Sequence, residues 1–74
     1  MQRDEFESIQ QVVSEAGADE PLTAREICQL LEEHGVEVDS AHRVATILGR
    51  RARRGEVEVI RDQPYRYRFD NAGQ

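Results

Sequence analysis

Three amphipathic stretches, each followed by a glycine, set the fold of this 74-residue chain. Glycine suits the position after a helix because the left-handed conformation found there costs it little. Gly17, Gly35 and Gly55 therefore predict the ends of three helices: residues 4–16, the stretch "LTAREICQLLEEHG", and residues 40–54. Beyond Gly55 the pattern changes to the period-two alternation of strands.

The predicted helix starts carry capping signals. Asp4, followed by a glutamate three residues later, predicts the start of the first helix. Thr23 and Glu26 form a T-x-x-E capping box at the second. Asp39 or Ser40 is expected to cap the third, since both residue types accept hydrogen bonds from first-turn amides.

Helical periodicity predicts which residues of each helix are buried. The expected inward residues are Phe6, Ile9, Val13 and Ala16 in the first helix, and Ile27, Cys28, Leu30 and Leu31 in the second. In the third helix they are Ala41, Val44, Ala45, Leu48 and Ala52, with Ile47 and Arg51 on the flank. The opposite side of the third helix is expected to carry His42, Arg43, Thr46, Arg50, Arg53 and Arg54.

Two alternating segments after Gly55 predict a β-hairpin. "VEVIR" is rich in β-branched residues, "YRYRF" alternates aromatic residues with arginine, and "DQP" supplies turn residues between them. Tyr65, Tyr67 and Phe69 are expected on one face of the hairpin. The short "PLT" segment before the second helix allows only a bridge-like strand. The whole chain, residues 1–74, is interpreted as one domain with an ordered core of about 4–69 and a loose tail at 70–74.

The predicted elements follow the order of the winged helix-turn-helix: helix, short strand, helix, linker, helix and hairpin. The residues of these elements also resemble that superfamily. "TAREICQLLEEHG" resembles its second helix, and "SAHRVATILGRRARRGEVEVI" resembles its recognition helix running into the wing. The shared pattern includes Leu48, Gly55 and Val57. The resemblance implies an α+β fold, with three helices and a C-terminal two-stranded β-hairpin wing. Arg51 departs from it by occupying a usual leucine position, and the linker "GVEVDS" is longer than a tight turn.

The resemblance also implies a function, namely double-stranded DNA binding by a small transcription regulator. Helix 40–54 would lie in the major groove, and the wing, 57–69, would contact the adjacent backbone or groove. Its base-facing residues would be Ser40, His42, Arg43 and Thr46, with Ser40 also suited to phosphate. Phosphate contacts would come from Arg50, Arg53 and Arg54, and wing contacts from Arg61, Gln63 and Arg66.

Other interpretations of the same residues stay open. Arg53 and Arg54 suit the negative end of a helix dipole whether or not they bind anything. Arg43 is also suited to pair with an acid from the second helix. The acidic first half favours a protein–protein interaction module without DNA binding, and a small core favours homodimerisation.

Charge is divided unevenly along the chain. Residues 1–39 carry two arginines and eleven acids, and residues 40–74 carry eight arginines and four acids, which gives −9 and +4 within a total of −5. This asymmetry favours a polyanionic partner. All ten basic residues are arginine, and the acidic, lysine-free composition resembles that of proteins from salt-loving archaea.

The residue inventory argues against an enzyme. One cysteine and two histidines provide no zinc-binding spacing, and no glycine-rich phosphate loop is present. We therefore expect no cofactor and no metal. The N-terminal sequence has no apolar signal-peptide segment, and no apolar run approaches the length of a bilayer span, so we expect a cytoplasmic protein without a membrane partner.

Overall fold

A computed structural model describes residues 4–17 and 20–69. They form an α+β structure with three helices and a three-stranded antiparallel sheet, as in a small winged-helix-like fold, which confirms the predicted fold class. The elements in chain order are α1 (Glu5–Glu15), β1 (Leu22–Thr23), α2 (Ala24–Glu33), α3 (Ala41–Ala52), β2 (Val57–Ile60) and β3 (Arg66–Phe69). The predicted loose tail at 70–74 and part of the predicted loop after α1 lie outside the described residues.

All three predicted helix caps are present. The side chain of Asp4 accepts a 2.8 Å hydrogen bond from the amide of Glu7 at the start of α1. Thr23 and Glu26 form the complete capping box of α2, with bonds of 2.9 and 3.1 Å. Ser40, rather than Asp39, caps α3. These contacts satisfy first-turn amides that no helical carbonyl can reach.

The sheet has the order β1–β3–β2, so the predicted hairpin is present but gains a third strand. The predicted bridge-like segment forms β1, whose Leu22 lies opposite Tyr67 of β3. Both hairpin strands are one residue shorter than expected, because Arg61 and Tyr65 belong to the connecting loop. Of the three aromatic residues expected on one face, Tyr65 lies in this loop and is exposed, Tyr67 is buried and Phe69 is half-buried.

One hydrophobic core joins the helices to the inner face of the sheet. Its buried members are Phe6, Ile9, Val12, Val13, Ile27, Leu31, Val44, Ile47, Leu48, Val57 and Tyr67. All of these buried side chains are bulky, and bulky side chains bury more apolar area than alanine does.

Three predictions about burial were wrong in detail. Ala16 is exposed, and Val12 is buried in its place. Leu30 is only half-buried, unlike its neighbour Leu31. Ile47 is in the core rather than on the flank of α3, because the buried side of α3 is turned away from its alanines toward its large aliphatic residues.

Two glycines provide a matched test of backbone strain. A Cβ atom at Gly49 or Gly55 would meet nothing within 4 Å, but only Gly55 has a positive φ, of 81°. We expect Gly55→Ala to lower the free energy of unfolding by about 1–2 kcal/mol, because left-handed backbone disfavours alanine. Gly49→Ala lies within α3 and is expected to raise it by up to about 1 kcal/mol. Urea denaturation midpoints measure both, and equal shifts in the same direction would contradict this explanation.

Candidate nucleic-acid interface

Helix α3 exposes the side opposite its buried residues Val44, Ile47 and Leu48. At 100° per residue, four of the predicted contact residues share that direction. We call them the α3 outer face: His42, Thr46, Arg50 and Arg53. Thr46 is half-buried and the other three are exposed. Arg43 and Arg54 lie to one side, where both border a cleft beside α1.

The two hydroxyl groups of the predicted interface are already used by the backbone of α3. The Ser40 hydroxyl oxygen accepts a hydrogen bond from the Arg43 amide at 3.3 Å, as part of the helix cap. Thr46 donates its hydroxyl proton to the carbonyl of His42 at 3.0 Å. The oxygen of Thr46 is left as an acceptor, which suits the amino groups of adenine or cytosine.

Arg43 is held by an acid, as one interpretation of the sequence proposed, but that acid is Glu5 of α1 rather than a residue of α2. Its Nε donates to Glu5 Oε2 at 3.4 Å, and its Nη2 donates to Glu5 Oε1. The hydrogen bond and the charge of Glu5 raise the pKa of the Arg43 guanidinium. The carboxylate therefore occupies one edge of the guanidinium, formed by Nε and Nη2, and leaves the Nη1–Nη2 edge open.

Arg50, Arg53 and Arg54 are exposed at the C-terminal end of α3. Arg53 is the C-cap residue, and Arg54 follows it immediately. None of the three forms an ion pair with an acidic side chain in residues 4–17 or 20–69. Both the helix dipole and an outside anion are therefore available as partners for these charges.

The wing carries a second group of polar residues, Arg61, Gln63 and Arg66, which we call the wing cluster. All three are exposed, and its two arginines have no acidic partner within the described part of the chain. Arg68, two residues further along β3, instead lies 3.8 Å from Glu58 on β2. The arginines near the hairpin loop are thus without an acidic partner in the described residues, whereas Arg68, further from the loop, lies close to a glutamate.

Arg51 connects three parts of the fold. Its guanidinium lies over the Phe6 ring, 4.6 Å from the centroid. Its two terminal nitrogens contact Asp4 of the α1 cap and Glu56 before β2, each at 3.0 Å. The hydrogen bond to Glu56 is the main cause of a raised pKa, and the side chain is only 24% exposed. Arg51 therefore packs against an aromatic ring and forms two ion pairs at the position where the resemblance has leucine.

The contacts of Arg51 predict a larger effect on stability than those of its neighbour Arg50. We expect Arg51→Ala to lower Tm by roughly 5 °C, because it removes aromatic packing and leaves two carboxylates without their partner. Arg50→Ala is the matched control and should change Tm little, since surface substitutions away from such contacts have small effects. Thermal unfolding by circular dichroism measures both. Equal shifts for the two variants would mean that the Arg51 contacts do not stabilise the fold.

The cleft between the start of α1 and α3 has a volume of about 300 Å³. We call it the α1–α3 cleft, and it is lined by Asp4, Glu5, Phe6, Arg43, Ile47, Arg50, Arg51 and Arg54. Sequence reasoning did not identify Asp4, Glu5 or Phe6 as part of this region. Acids at the start of a helix are expected for the dipole alone, so no sequence signal marked them as partners of arginines about 40 residues away.

Other chemistry finds little support in the described residues. Within 4–17 and 20–69, no three histidine, cysteine, aspartate or glutamate side chains are grouped so as to hold a metal ion. Cys28 is a half-buried free thiol packed against the core. In the same ranges, no helix has the length and apolar character needed to cross a membrane.

No protein-family model, curated protein or solved structure matches this chain. Its function is therefore argued from the surface residues and their contacts.

Proposed function

We propose that this chain binds double-stranded DNA as a small cytoplasmic transcription regulator of the winged helix-turn-helix type. Helix α3 lies in the major groove, and the wing contacts the adjacent backbone or groove. One observation carries the proposal. Five arginines on α3, just after it and in the wing lack an acidic partner among the described residues, although the chain as a whole is acidic: Arg50, Arg53, Arg54, Arg61 and Arg66.

The ion pairs support this assignment because the acids of this chain could have neutralised every arginine and do not. With 15 acids and 10 arginines, the chain has enough carboxylates to neutralise every guanidinium. Arg43, Arg51 and Arg68 are paired in this way. Arg25 on α2 also lacks an acidic partner among the described residues, and the other five unpaired arginines are the ones proposed to contact phosphate. Each such contact releases a counterion from DNA.

Base recognition would then fall to the first half of α3. His42 is exposed there, and Thr46 offers its oxygen as an acceptor. Arg43 is held side-on by Glu5 through Nε and Nη2, and in that arrangement its Nη1–Nη2 edge is still directed away from the carboxylate and can pair with guanine.

A salt titration tests the proposal. Binding of a fluorescent 20-base-pair duplex is measured by anisotropy from low to physiological salt. If all five arginines contact phosphate, the logarithm of affinity should fall with the logarithm of salt with a slope of about −4.5. Lack of binding at low salt would refute the proposal. Selection of bound sequences from a random pool then measures base preference.

A second candidate function is a winged-helix protein-interaction module, and the Arg43–Glu5 pair favours it. That pair neutralises the residue best suited to read guanine, while Glu32, Glu33, Glu37 and Asp39 present exposed negative charge. Capture of partners from native lysate with and without nuclease distinguishes the two functions. Partners that persist after nuclease treatment support the interaction module, and partners lost with the nucleic acid support DNA binding.

A further inference from the structure

A carboxylate already occupies an arginine fork in the α1–α3 cleft. Glu5 accepts from both Nε and Nη2 of Arg43, which is the side-on arrangement that a guanidinium also uses for phosphate. The remaining acid of the cleft, Asp4, is engaged elsewhere, by the Glu7 amide and by Arg51. Glu5 is thus the one acid described there that faces Arg43.

Four arginines line the cleft, and Arg51 is already engaged by Asp4 and Glu56. Arg43 and Arg50 lie seven residues apart, on nearly the same side of α3, and Arg54 follows the end of that helix. Phe6 and Ile47 also line the cleft, although both are buried in the core. An anion in this cleft would therefore meet mainly the guanidinium donors of these arginines.

We propose that the α1–α3 cleft is a phosphate-binding site in which Glu5 acts as an internal competitor that the incoming phosphate displaces from Arg43. A phosphate group offers more charge and more acceptor oxygens than a carboxylate and fits the same guanidinium fork. The Arg43 and Glu5 side chains are 40% and 50% exposed, so their pair is screened by water and is readily exchanged.

Two sources provide such a phosphate, the backbone of a DNA duplex and a free polyphosphate compound. For the duplex, the inference rests on the proposed function, since the cleft borders the α3 outer face through Arg50. For a free polyphosphate, it stands independently of DNA binding. Inorganic tripolyphosphate and a 20-base-pair duplex are therefore used as separate probes.

The test compares Glu5→Gln with Glu7→Gln. Both remove one negative charge from the first turn of α1, but Glu7 does not line the α1–α3 cleft. We expect Glu5→Gln to tighten tripolyphosphate binding by about two- to fivefold, the range expected on releasing an exposed ion pair. Glu7→Gln should have a smaller effect, because its charge acts only through screened solvent. Thermal unfolding confirms that both variants remain folded.

Arginine side-chain NMR signals report where the phosphate binds. On addition of tripolyphosphate, the Nε–Hε signals of Arg43, Arg50 and Arg54 should shift, and that of Arg25 on α2 should not. Arg54→Ala should weaken binding several-fold. Equal tightening by Glu5→Gln and Glu7→Gln, or no tightening by either, would overturn the proposal, as would shifts confined to arginines outside the cleft.

Parallel titrations with the duplex and with tripolyphosphate distinguish phosphate binding in the cleft from DNA binding by the whole chain. If the duplex binds but Glu5→Gln changes neither probe, DNA binding stands and the Glu5 competition is refuted. If tripolyphosphate binds more tightly to Glu5→Gln while no duplex binds at low salt, the cleft is a phosphate site and the proposed function fails. Tightening for both probes supports both.

Discussion

Simultaneous replacement of Arg50 and Arg53 by alanine is expected to lower affinity for duplex DNA by about ten- to a hundredfold at low salt. Both side chains are exposed on the α3 outer face and have no acidic partner in the described structure. Loss of two phosphate contacts should also make the salt dependence shallower, changing the slope by about 1.8. Anisotropy titrations at several salt concentrations measure the affinity and the slope together.

Arg25→Ala removes one positive charge and is the matched control for Arg50→Ala and Arg53→Ala taken singly. Arg25 is exposed on α2 and belongs neither to the α3 outer face nor to the wing cluster. Its removal should leave the slope nearly unchanged. A loss for Arg25→Ala equal to that of either single α3 variant would mean that duplex binding depends on overall charge rather than on α3. No loss for the double variant would assign Arg53 to the helix dipole and remove Arg50 from the interface.

Leu31→Ala is expected to have the largest effect on stability, a loss of about 2–5 kcal/mol in the free energy of unfolding. Leu31 is fully buried on α2, and the alanine side chain would leave a cavity that its neighbours fill only in part. A 74-residue domain has a total stability of only about 4–11 kcal/mol. We therefore expect Tm to fall by about 10 °C or more, as measured by calorimetry.

The adjacent Leu30 is the natural control for this substitution. It lies on the same helix and has the same side chain, but it is only half-buried. Leu30→Ala should cost about 1 kcal/mol, because it removes less apolar surface from the packed interior. Similar losses at the two positions would show that helix propensity, rather than core packing, determines the effect.

Features decided within one helical turn were predictable from the sequence. Each cap involves residues three apart, as in the Thr23–Glu26 box, and all three predicted caps are present. The helix ends also follow local chemistry, since Gly17, Gly35 and Gly55 all adopt positive φ. The alternation of the last segment predicted the hairpin for the same reason, because strand periodicity is local.

Features that depend on distant partners were not predictable. The bridge-like strand β1 was expected, but its partner was not, because two residues show no period of their own and β3 lies more than 40 residues later. Glu5 and Arg43 are 38 residues apart, and Asp4 and Arg51 are 47 apart. An acid in the first turn of a helix has the same sequence signature whether it faces solvent or an arginine of another helix.

The candidate interface contains some residues whose positions were predictable from local periodicity and others whose contacts depend on distant partners. The outward positions of His42, Arg50 and Arg53 follow from helical geometry and agree with the structure. Arg43 was the residue expected to read bases, and its engagement with Glu5 depends on the packing of α1 against α3. The position of Ile47 was missed because helix periodicity identifies a broad apolar side, whereas the bulk of the packed neighbours decides which part of it is buried.

Thr23 has a consequence for how events at the wing are transmitted through the molecule. It is paired with Arg66 in the sheet, and its hydroxyl oxygen also accepts from the Glu26 amide at the start of α2. We therefore expect a displacement of β3 to weaken the hydrogen bond that closes the first turn of α2. Faster hydrogen exchange at the Glu26 amide would report that displacement.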